Sequence, residues 1–163
     1  MEYLLRVNGF RTESVIRVPE IDEQDDVAVI RWARKHQMIV VCFDLHNDHQ
    51  TRLVWDPEIK LRGGRVIEIP EGPEQPAEMA AGKVLMYQPT WSAWFREHRA
   101  GVVRLNRHHP IFKTQDEIRP PTPRSEADWE RYLRAFGRRT SRGGRPGRGG
   151  RSAFPPHTGK NLL

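Results

Sequence analysis

With 163 residues, 37% apolar and 29% charged, the chain suits one domain or one domain with a tail, and its low apolar share leaves part of it without a packed core. A single cysteine, Cys42, excludes an intramolecular disulfide framework and a four-cysteine zinc site; no apolar run reaches the roughly 18–20 residues of a bilayer span, and the start lacks signal-peptide character, so a cytoplasmic protein is expected. The net charge of +6 divides unevenly: residues 138–163 carry +7, and residues 1–137 carry −1.

Along the chain, Ser14-Val15-Ile16-Arg17-Val18 is a β-branched run ended by Pro19 and is expected to be a strand. Asp25 and Asp26 stand where a helix N-cap belongs, and Val27, Ile30, Ala33 and Arg34 follow at helical spacing. Residues 38–43 form an apolar run without polar alternation, as in a strand covered on both faces of a parallel sheet. Strand, helix and strand make a βαβ unit. A helix is expected from about 49 to 61, interrupted by Pro57, with Gly63-Gly64 as its stop. Residues 65–69 read as a strand, 70–82 as a Pro-rich loop, and 83–87 as a short strand or helical turn. Thr90 is expected to cap a helix over 91–99, and Val102 to Leu105 to form a further strand.

Residues 113–124 form a Pro-rich connector after an α/β domain spanning 1–112. A terminal helix is predicted over 125–137, started by the near capping box Ser125-x-x-Asp128. Its apolar stripe Trp129, Tyr132, Leu133 and Phe136 is expected to dock on the domain, with partner binding as the alternative. Residues 138–163 have no apolar periodicity and are expected to be disordered. Their Arg-Gly-Gly steps resemble RGG segments, which makes Arg138, Arg139, Arg142, Arg145, Arg148 and Arg151 candidate RNA contacts. A solubilising or protein-docking arm is the other reading of this tail.

The residues that point to chemistry are acidic. In an open α/β sheet the start of the 26–35 helix and the end of the 38–43 strand share the carboxyl edge, where such folds bind ligands. That edge would gather Asp25, Asp26, Asp44 and Asp48. Facing carboxylates repel unless a cation lies between them, and hard ions such as Mg²⁺ or Mn²⁺ take carboxylates, waters and phosphate oxygens. Each acid also has a structural reading: Asp25 and Asp26 as helix caps, Asp44 as a turn opener, Asp48 and Asp22 as loop acids. His46, His49, His108 and His109 match no metal-site spacing, and Cys42 reads as a buried structural thiol. No glycine-rich phosphate loop is present, since Gly63-Gly64 lacks the surrounding pattern.

The run ESVIRVPEIDEQDDVAVIRWARKHQMIVVCFD resembles the PIN-like domain family, in particular small prokaryotic PIN-like nucleases of toxin–antitoxin type. Trp32-Ala33-Arg34, the apolar stretch after it and Asp44 keep the family spacing, and Asp26 falls on its acidic helix-start position. The match is closest over residues 4–48. The resemblance implies a three-layer α/β/α sandwich around a parallel sheet, here lacking the family's first strand and its aspartate. It also implies a Mg- or Mn-dependent ribonuclease with Asp26 and Asp44 as catalytic residues and Asp25, Asp26, Asp44 and Asp48 as metal ligands. RNA, and an antitoxin or other protein, are the implied partners, with no membrane. The alternative is a catalytically inactive PIN-like scaffold that binds RNA or protein through the terminal helix and the Arg/Gly-rich tail.

Overall fold

The computed structural model describes residues 1–19, 21, 25–43, 49–70 and 76–136. In chain order the elements are α1 (Glu2–Val7), α2 (Asp26–Lys35), β1 (Val40–Phe43), α3 (His49–Arg62), β2 (Arg65–Ile69), α4 (Ala77–Met86), α5 (Gln88–Glu97), β3 (Gly101–Leu105), β4 (Pro110–Thr114) and α6 (Glu126–Phe136). The strands form one sheet in the order β1-β2-β3-β4. β1, β2 and β3 are parallel, with Val40 opposite Val66 and Arg65 opposite Gly101, and β4 returns antiparallel to β3. The fold is α/β with a mostly parallel sheet; β4 departs from the expected all-parallel arrangement.

Local chemistry explains most elements. Asp25 caps α2 by accepting from the N–H groups of Val27 and Ala28, both at 3.1 Å, and Arg34 and Lys35 stand at the negative end of the helix. Val27, Ile30 and Ala33 bury the stripe that the periodicity predicts. Side-chain alternation then divides the core about the sheet. Ile67 and Ile69 of β2 join Val103, Leu105, Leu5 and the inner residues of α4 and α5. Val66 and Val102 join Val27 and Ile30 of α2, Val54, Trp55 and Ile59 of α3, and Ile118.

Several expectations are corrected. Residues 15–17 form a 3-10 turn, closed by the Arg17 N–H on the Ser14 carbonyl at 2.9 Å, so among the described residues no strand precedes α2 and the predicted βαβ unit does not form from this run. No described strand pairs the run, and packing of Val18 and Ile21 against Val29 of α2 outweighs its β-propensity. Helix α3 passes through Pro57 without interruption. A mid-helix proline costs about 3 kcal/mol, and the continuous burial of residues 53–59 opposes that cost. The expected loop over 70–82 is helical from Ala77, since Ala80 and Ala81 are buried in the core, and residues 83–86 continue the same helix. Helix α5 begins before Thr90, with Pro89 in its first turn. β4 takes up residues 113 and 114, so the connector shortens from its start.

Helix α6 holds a different face inward from the one its stripe predicts. Trp129 is 50% and Leu133 52% exposed, whereas Asp128 is buried. Ser125 accepts from the Asp128 N–H at 3.1 Å, as the near capping box predicts. The Asp128 carboxylate accepts from the Arg124 N–H at 2.8 Å and from the Gln50 amide at 2.6 Å, and lies 3.4 Å from His49 Nε2 of α3. This polar anchor, together with Ala135, decides the docking face.

Candidate functional site

The carboxyl edge of the sheet is built by strand register. Cys42 of β1 is aligned with Glu68 of β2, and Glu68 with Arg104 of β3. Alternation sends all three side chains to the face shared with α2 and α3, next to Val40, Val66 and Val102. Glu68 is fully buried and its Oε1 lies 3.9 Å from Arg104 Nε, so the desolvated carboxylate has a cation beside it.

Asp26 belongs to the same neighbourhood. Burial raises the Cys42 thiol far above its usual range, and the negative fields of Glu68 and Asp26 raise it further. The free thiol is therefore held protonated, in keeping with the buried structural thiol that its place in an apolar strand predicts. Both carboxylates direct their fields at the next-to-last residue of β1, and Asp44 follows directly after that strand.

Asp25 serves α2 as its cap, both its bonds going to backbone N–H groups. Asp44 and Asp48 lie outside the described residues, as do Arg138, Arg139, Arg142, Arg145, Arg148 and Arg151. Among the described residues, no three His, Cys, Asp or Glu side chains gather as a metal-holding group. Glu68 was not singled out from the sequence, although Val66-Ile67-Glu68-Ile69 carries a signal for it. An acid inside an apolar parallel strand has to be buried and needs a partner.

The opposite, amino edge of the sheet is basic. Arg31 grips the fully buried Glu58 with Nε and Nη2, each at 3.1 Å. Arg62 reaches the same carboxylate at 2.6 Å, and Arg34 lies 3.5 Å from it. Beyond this cluster lies a cleft of about 290 Å³, lined by Arg34, Arg62, Arg65 and Arg99 with Gln37 and Gln115. No described helix is long and apolar enough to cross a membrane. No protein-family model, curated protein or solved structure matches the chain.

Proposed function

We propose that the chain is a PIN-like, Mg²⁺- or Mn²⁺-dependent ribonuclease whose acidic site lies at the carboxyl edge of β1. The observation that carries this reading is the nearness of Asp26 to that edge, where its field reaches Cys42, two positions before Asp44. Helices contribute to the core on both sides of the sheet, in keeping with a three-layer α/β/α sandwich.

The donor chemistry fits a hard divalent ion. Asp26 and Asp44 offer carboxylate oxygens, and the one nearby sulfur stays protonated. Asp26 and Asp44 would hold the ion, with Asp48 and Asp25 as the further acids of the same segments. A bound ion supplies an activated water and neutralises charge on the phosphodiester. Glu68 adds a further carboxylate inside the sheet, with the Arg104 guanidinium 3.9 Å from it. The arginines of residues 138–151 would gather RNA by charge.

The test is cleavage of labelled single-stranded RNA by the full chain in EDTA, Mg²⁺ and Mn²⁺. Metal-dependent cleavage that Asp44→Ala and Asp26→Asn each abolish, with unchanged thermal midpoints, supports the nuclease. RNA binding with no cleavage under any metal overturns it. A second reading, a non-catalytic PIN-like scaffold docked to an antitoxin or other protein, is favoured by the exposure of Trp129 and Leu133 on α6.

A further inference from the structure

We propose that the arginine cleft at the amino edge of the sheet is a binding site for a phosphate monoester, the terminal phosphate of a nucleotide or of an RNA 5′ end. The site is independent of the acidic edge. Four guanidinium groups, from Arg34, Arg62, Arg65 and Arg99, line one cleft, and among the described residues no acid lines it. The topology brings them together: Arg34 lies in the last turn of α2, Arg62 ends α3, Arg65 opens β2, and Arg99 stands two residues before β3.

The charge in the cleft is met from behind at Arg34 and Arg62 only. Glu58 is the carboxylate against this cluster, and it is shared by Arg31, Arg34 and Arg62. Arg65 donates to the Arg99 carbonyl at 3.3 Å, which positions its guanidinium without neutralising it. Among the described residues, neither Arg65 nor Arg99 has an acidic partner. Arg65 and Arg99 therefore bring two positive charges to the cleft beyond those that face Glu58, matching a phosphate monoester of about −1.5 to −2 better than a singly charged diester.

The remaining lining suits the same ligand. Arg34 is oriented by its bonds to the Arg62 and Gly63 carbonyls, at 3.1 and 3.4 Å. A guanidinium held in place presents paired donors to phosphate oxygens with little ordering cost. Gln37 has φ +57°, a left-handed backbone in which glycine would be unstrained, yet the position carries an amide at the rim of the cleft. Gln115 is held by its bond to the Lys60 carbonyl at 2.7 Å. At about 290 Å³ the cleft is larger than a phosphate group requires and lies at the lower end of small-ligand sites, which run from about 300 Å³. A phosphate with part of its sugar fits this volume.

The test is calorimetric titration of the full chain with adenosine 5′-monophosphate, with adenosine as the control, beside the variant Arg65→Ala/Arg99→Ala. The expected result is binding of the monophosphate, no binding of adenosine, and an affinity loss of about tenfold or more in the variant, whose ligand-free thermal midpoint is unchanged. Arg99→Gln, at an exposed position, repeats the test should the double variant not fold. A second arm compares 5′-phosphorylated with 5′-hydroxyl RNA of one sequence. A preference for the 5′-phosphate that the variant abolishes identifies the RNA end as the source, and equal affinities with monophosphate binding retained identify the nucleotide. No monophosphate binding, or equal affinity in wild type and variant, overturns the site.

Discussion

Two residues at the amino edge carry energies that can be read from their surroundings. Gln37 continues from the end of α2 with φ +57°, while the Met38 N–H closes the helix on the Ala33 carbonyl at 2.8 Å. This is the position a glycine normally fills, because a side chain in left-handed backbone costs about 1–2 kcal/mol. Gln37→Gly should therefore raise stability by about 1 kcal/mol and the thermal midpoint by about 2–4 °C, measured by calorimetric unfolding. A midpoint that falls would show that the glutamine amide stabilises the fold by more than its backbone costs. Glu58 presents the opposite case. It is fully buried among Arg31, Arg34 and Arg62, and its removal leaves three guanidinium groups facing one another. Glu58→Ala should cost about 3–5 kcal/mol, read as a shift of the urea midpoint. Glu58→Gln, which keeps the shape and a hydrogen-bond acceptor, should cost less.

At the scale of an element, α6 is held by a titratable anchor. The Arg124 N–H and the Gln50 amide, with His49 and Ser125, hold the Asp128 carboxyl down to about 2 from its ordinary 3.8. These partners favour the charged form, so their stabilisation is complete above about pH 4 and is lost as pH falls toward 2. Hydrogen exchange along α6 should accelerate over that window ahead of exchange in the sheet, and Asp128→Asn should show fast exchange in α6 already at neutral pH. Exchange in α6 that tracks the sheet at every pH would refute the anchor. The same helix shows how far the sequence reaches. Its existence, its start and its Ser125 cap are legible from spacing, but its docked face is not, since a buried aspartate with partners on another helix overrides the apolar stripe. Helix α2 with its Asp25 cap, β2 and β3 are legible because local pattern and tertiary partner agree. Residues 14–18 carry the same β-branched signal, but no described strand pairs with them, and β4 is a strand only because β3 lies beside it. Of the sites, Asp26 at the carboxyl edge follows from helix and strand order. Glu68 needs the register to acquire Arg104, and the arginine cleft draws on segments far apart in the chain, which no local motif joins.

The whole molecule is electrically divided twice. Across the α/β body, Asp26 of α2 and Glu68 of β2 stand toward the carboxyl edge of the sheet, and Arg34, Arg62, Arg65 and Arg99 surround the amino edge. Along the chain, residues 1–137 carry −1 and residues 138–163 carry +7. These divisions predict separable contributions to RNA binding. Contacts between basic residues and single strands give a log–log salt slope of about −0.7 per phosphate neutralised, so deleting residues 138–163 should reduce the slope by up to about 5 and remove most sequence-blind affinity. A body of net charge −1 then binds RNA only where its positive charge is concentrated, and the amino-edge cleft is such a place. In the truncated protein, Arg65→Ala/Arg99→Ala should lower the remaining slope by a further 1.4 or so, two contacts' worth, for 5′-phosphorylated RNA. The same substitutions should leave the slope for 5′-hydroxyl RNA nearly unchanged, because a hydroxyl end brings no dianion to the cleft. Equal reductions for both RNAs would mean that these arginines act as general backbone contacts, and the cleft would then have no selectivity for a terminal phosphate.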